Sequence, residues 1–77
     1  NPFNPSTKIR YSIPKSGFVK LEIFDALGRE VETLVNQTQT SGTYEASFAG
    51  ENYPSGVYFY KLSSGDFQSI KKMVLVK

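Results

Sequence analysis

Apolar and polar residues alternate with a period of two along most of the chain, the spacing that sends successive side chains to opposite faces of a β-strand. Residues 8–13 place Ile9, Tyr11 and Ile13 on one face and Lys8, Arg10 and Ser12 on the other. Residues 18–24 turn Val19, Leu21 and Ile23 inward, with Lys20 and Glu22 outward. Residues 30–35 form a third strand whose alternation is blurred at Val31 and Leu34, and the Gln, Thr and Ser of residues 36–42 predict a polar, mobile loop. Residues 43–48 form a fourth strand with Tyr44, Ala46 and Phe48 to one side. Residues 57–63 are a fifth, apolar on both faces, and residues 67–76 are the last. No stretch has helical periodicity.

Turn residues punctuate these runs. Pro14-Lys15-Ser16-Gly17 predicts a turn in which proline fixes φ and Gly17 takes a positive φ. Asp25 to Arg29 predicts a type I turn closed by Gly28 in the left-handed region, with Asp25 capping the turn through its side chain. Residues 49–56 make a loop carrying Asn52, Pro54 and Gly56, and Ser64-Gly65-Asp66 reverses the chain again. Ahead of the first strand, two Asn-Pro steps make residues 1–7 an extended Pro-rich leader with Phe3 as its apolar anchor, which suggests an appended module. Short strands at this spacing predict an all-β, immunoglobulin-like antiparallel β-sandwich of about seven short strands, forming a single domain over residues 1–77. Its expected core is Ile9, Tyr11, Val19, Leu21, Ile23, Val31, Tyr44, Phe48 and Leu62.

Composition narrows the chemistry. A chain of 77 residues buries only roughly 60% of its unfolded surface, too little for a core and a deep substrate cavity together. Histidine and cysteine are both absent, which removes the usual general base, the thiolate nucleophile and the commonest metal ligands. Glu22, Asp25, Glu30 and Glu32 form no paired-carboxylate motif, and Ser16 and Ser55 have no base beside them. Glu51 and Asp66 lack the spacing of a Ca²⁺ loop. The expectation is a protein that is not an enzyme and uses no cofactor or metal. Nine scattered Lys and Arg with a net charge of +2 make nucleic acid an unsuitable partner. No run is long enough to span a membrane, and no signal-peptide pattern opens the chain, so the leader of an exported parent would lie upstream. Tyr11, Tyr44, Tyr58 and Tyr60 occupy alternating strand positions suited to packing, which weakens the alternative of a structural or carbohydrate-binding accessory module.

Two segments carry more apolar surface than one core needs. Val57-Tyr58-Phe59-Tyr60 reads as a strand covered on both sides or as a core rim whose hydroxyls reach solvent. Met73-Val74-Leu75-Val76, bounded by Lys71-Lys72 and Lys77, is either a strand that switches faces at a β-bulge or a docking strip for another protein's sheet. In the second case the lysines act as gatekeepers against aggregation.

Four blocks, in order, resemble one family, the C-terminal sorting domains of type IX (Por) secretion cargo, type A. They are Asn1-Pro2-Phe3-Asn4-Pro5-Ser6-Thr7-Lys8-Ile9, then Gly28-Arg29-Glu30-Val31, then Pro54 to Tyr60, and finally Lys71-Lys72-Met73-Val74-Leu75-Val76-Lys77. The related immunoglobulin-like domain of the flagellar hook-cap protein shares several of these turns, and the placement of the lysine-bounded strand favours the sorting domain. Phe48-Ala49-Gly50 departs from the Trp-Asp-Gly that many members carry. The resemblance implies a non-catalytic address that takes an upstream cargo domain through the periplasm and across the outer membrane to a secreted or cell-surface location. It implies the type IX translocon and a sortase as partners, and removal of the domain in many members. The expected recognition residues are Gly56, Val57, Tyr58, Lys71, Lys72, Met73, Val74, Leu75, Val76 and Lys77, and edge strands allow self-association.

Overall fold

The computed structural model describes residues 6–76 and contains six strands, one 3-10 turn and no α-helix. The strands are β1 (Ser6–Ile13), β2 (Gly17–Asp25), β3 (Glu30–Gln39), β4 (Gly42–Ala49), β5 (Gly56–Ser64) and β6 (Phe67–Leu75). They form two antiparallel sheets facing each other, a two-stranded sheet β1-β4 and a four-stranded sheet β3-β2-β5-β6. The all-β sandwich is as expected, with six strands where about seven are predicted.

The inward faces meet in one cluster of Ile9, Tyr11, Ile13, Val19, Leu21, Ile23, Phe48, Tyr58, Leu62 and Leu75. Val31 and Tyr44, both expected inside, are half-buried and pack against its margin. Tyr58 and Leu75 join it from segments whose two-sided apolar pattern does not say which face turns in. Phe48 is fully enclosed, and its ring stacks on Tyr53 at 5.3 Å and tilts against Tyr58 at 6.0 Å.

Four details differ from the sequence reading. The first strand starts at Ser6, so Ser6 and Thr7 pair with Ala49 and Phe48 and do not belong to a leader; residues 1–5 lie outside the described residues. Residues 36–39 are strand, not loop. They extend β3 along Gly17 to Lys20 of β2, because backbone pairing at a sheet edge needs no apolar side chain, and Tyr11 donates its hydroxyl to Gln39 Oε1 at 3.0 Å. Gly17 has no positive φ, because Pro14 to Ser16 do not close a hairpin but carry the chain from one sheet to the other. Finally, β5 and β6 stay in register throughout, so no bulge occurs at Lys71-Lys72.

The bulges lie in β3. Leu21 pairs with Val35 while Glu22 pairs with Thr33, and Ile23 pairs with Glu32 while Phe24 pairs with Glu30. The residues skipped are Leu34 and Val31, the same two that break the alternation. A bulge lets an extra side chain reach the face its neighbour already occupies, and both residues pack against the core.

Candidate recognition site

The β2–β3 connection forms as its residues dictate. Gly28 takes φ +85° and donates its N–H to the Asp25 carbonyl at 2.9 Å. Asp25 Oδ1 accepts the N–H groups of Leu27 and Arg29, and Oδ2 accepts Arg29 Nε, each at 2.9 Å. The Arg29 backbone N–H, with its guanidinium and the Leu27 N–H, holds the Asp25 carboxyl below its ordinary value. Asp25 is therefore the cap of this turn, as the sequence indicates.

Asp25 lies opposite Tyr58 in the ladder, which brings the turn beside Pro54 to Tyr58 around a shallow depression of about 220 Å³. Tyr58 donates its hydroxyl to the Pro54 carbonyl at 2.7 Å, four residues back. This is the bond of a tyrosine corner, which fixes the entry of a strand into a sandwich. Gly56 makes the bend at φ +152°, a conformation open to glycine alone. The motif Pro54-Ser55-Gly56-Val57-Tyr58 is thus first a structural device that locks the start of β5.

β6 lies along β5 with Gly56 opposite Leu75, Val57 opposite Val74, Tyr58 opposite Met73, Phe59 opposite Lys72 and Tyr60 opposite Lys71. Because strand side chains alternate, Met73 and Leu75 turn toward the core while Lys72 and Val74 face the outside of the large sheet. Leu75 is 5% exposed, whereas Val74 is 61%, Val76 71% and Ile70 64% exposed. Val57 and Phe59 of β5 and Phe24 of β2 continue this outer apolar strip, each half-buried. Lys72 sits on that outer face, and Lys71 lies on the inner face yet remains exposed. Among the described residues β6 has no neighbour beyond β5, so one whole edge of its backbone is unpaired. Nine of the ten recognition residues read from the sequence are therefore contiguous, and Lys77 lies outside the described residues.

Two residues that sequence reading missed hold this region in place. A Cβ built on Gly50 would stand 2.5 Å from Leu75 Cδ1 and 2.6 Å from Cδ2, so the leucine packs directly on glycine backbone. Tyr53 donates to Glu32 Oε1 at 3.0 Å and lies within 3.3 Å of the Val31 carbonyl, tying the β4–β5 connection to bulged β3. Burial, with the Glu32 carboxylate as acceptor, raises the Tyr53 phenol above its ordinary value. The available signals were a lone glycine directly after a strand and an aromatic residue within a polar loop.

Among the described residues no cluster of acidic side chains could hold a metal ion. The Thr33 hydroxyl, donating at 2.6 Å, lowers the Glu30 carboxyl, so this acid is charged and stabilised as such. Tyr11 and Tyr58 are buried and Tyr44, Tyr53 and Tyr60 half-buried, so no tyrosine stands fully exposed on the surface.

This arrangement defines a class of protein: a small antiparallel sandwich presenting an unpaired strand edge beside an apolar strip. The chain belongs to the secretion-system C-terminal sorting domains, whose family model matches residues 1–77. No curated protein and no solved structure matches it. A type IX domain of this family is the sorting tail of a cargo protein, which it addresses to the secretion machinery, and the parent protein is secreted or surface-attached.

Proposed function

We propose that the secretion machinery reads β6 directly, taking its open edge by strand addition and its outward side chains into pockets. The observation that carries this reading is the split of the segment Met73 to Val76. Its inward residues belong to the core, while Val74 and Val76 are 61% and 71% exposed beside an unpaired backbone. Strand addition supplies affinity through main-chain hydrogen bonds and specificity through alternate side chains. Lys71, Lys72 and Lys77 steer the encounter more than they hold it. Gly56, Val57 and Tyr58 act by keeping β5, and so β6, in register. In this reading residues 1–77 form one domain that takes its cargo across the outer membrane through the type IX translocon, after which a surface sortase removes it. The domain carries no catalytic activity of its own.

The test is export of a reporter cargo bearing Lys72→Glu or Val74→Asp, with folding of each variant checked separately. Lys72→Glu, at an exposed position, should change stability by less than about 0.5 kcal/mol, and Val74→Asp should cost about 1 kcal/mol through lost strand propensity and pairing with Val57. Loss of export with an intact fold is the expected result. Normal export of both, with failure confined to variants that unfold the domain, would show that fold integrity is the signal.

A further inference from the structure

Along the first half of β6, burial on the inner face of the four-stranded sheet declines in each row from β2 through β5 to β6. In the row Val19–Ser64–Phe67, exposure runs from 0% through 8% to 41%. In the row Leu21–Leu62–Ser69 it runs from 0% through 4% to half-buried. The row Ile23–Tyr60–Lys71 ends on an exposed lysine. The two-stranded sheet therefore roofs β2 and β5 and leaves the first half of β6 uncovered on its inner side. A groove of about 330 Å³ fills that place, with Arg10, Tyr11 and Ser12 of β1 on one side and Tyr60, Leu62, Phe67, Ser69 and Lys71 on the other.

The edge of β1 that borders this groove is regular. β1 pairs with β4 over eight residues without a register shift, and its other side has no partner among the described residues. It contains no proline and no bulge, two devices that ordinarily protect a sheet edge. β3, by comparison, is bulged twice. Positive charge prevails around it: Lys8 and Arg10 stand exposed on the outer face of β1, with Glu45 of β4 opposite Arg10, Lys71 stands on the groove floor, and among the described residues no carboxylate lines the groove.

We propose that this groove receives an extended segment of another protein in which acidic and apolar residues alternate. Pairing with β1 would make the small sheet three-stranded and extend its roof over β6. Every second side chain would then point inward over Tyr60 and Phe67, where an apolar group removes ring surface from water. The intervening side chains would point outward beside Lys8 and Arg10, where acids make cross-strand pairs. The groove shares Lys71 with the recognition segment but does not use the open backbone edge of β6.

The test uses the isotopically labelled 77-residue protein and a capped heptapeptide of alternating valine and glutamate, with a valine–lysine peptide as control. Amide shifts and slowed hydrogen exchange are expected along β1 and at Tyr60, Phe67, Ser69 and Lys71, for the glutamate peptide only. The double variant Lys8→Glu/Arg10→Glu should weaken that binding by about tenfold, the combined size of two cross-strand charge pairs, and should favour the lysine peptide. Several results would overturn the proposal: no saturable binding, equal binding of the two peptides, or shifts confined to the outer edge of β3 or β6. Self-association through β1 without peptide would assign the groove to a second copy instead. The comparison of the two peptides on the unmodified protein does not require the variant to fold.

Discussion

The contact between Leu75 and Gly50 gives the most specific prediction. Leu75 sits on the last residue of β6, is 5% exposed, and lies where a Gly50 Cβ would be, 2.5 to 2.6 Å from its δ-carbons. Leu75→Ala replaces a buried isobutyl side chain with a methyl, a change worth about 2–3 kcal/mol at a strand end that can partly close the cavity. Gly50→Ala inserts a methyl into occupied space; Gly50 has no positive φ, so its penalty is overpacking, about 1–3 kcal/mol. In the double variant each change removes the reason for the other's harm, since the new Gly50 methyl fills the space that Leu75 vacates. The pair should therefore be less destabilised than the sum by about 1–2 kcal/mol, well outside the ~0.5 kcal/mol within which independent sites add. Urea denaturation of the four proteins measures this: with a slope near 1 kcal/mol per molar for so small a domain, Leu75→Ala should lower the midpoint by about 2–3 M. Additive effects would refute the argument, because they would mean that the end of β6 does not rest on Gly50.

Two further predictions concern the turns around the same end of the sheet. Tyr58→Phe should lower stability by about 1 kcal/mol without altering the fold, as the bond to the Pro54 carbonyl is lost while that exposed carbonyl regains water; an unchanged thermal midpoint would contradict this. Asp25 has its pKa lowered by the fold, so its stabilisation is complete above the pKa of the unfolded chain and disappears as pH falls through the lowered folded value. Thermal midpoints recorded across the acid range should therefore fall less steeply in Asp25→Asn than in the parent, and parallel profiles would show that the carboxylate does not hold the turn.

The Asp25–Gly28 turn was legible because its chemistry is local: a short acceptor, a glycine and the N–H groups between them lie within five residues. The six strands were legible for a similar reason, since alternation records which side of its own strand each residue occupies. The segment Met73 to Val76 was readable as a two-sided apolar strand, although only pairing with β5 decided that Leu75 turns in and Val74 out.

What the sequence alone determined is therefore the all-β class, the turn at Asp25 and the apolar excess of residues 57–60 and 73–76. Tertiary structure decided the rest, because each remaining feature depends on a neighbour distant along the chain. Polar residues 36–39 became strand because the main chain of β2 was there to pair with. Val31 and Leu34 became bulges because β2 offers one partner where β3 supplies two residues. The division into a two-stranded and a four-stranded sheet exposed the inner side of β6 and left Lys71 open on a face that alternation assigns to the core. Alternation fixes the side of a strand but is silent about what lies across from it, and burial belongs to the pair of surfaces that meet.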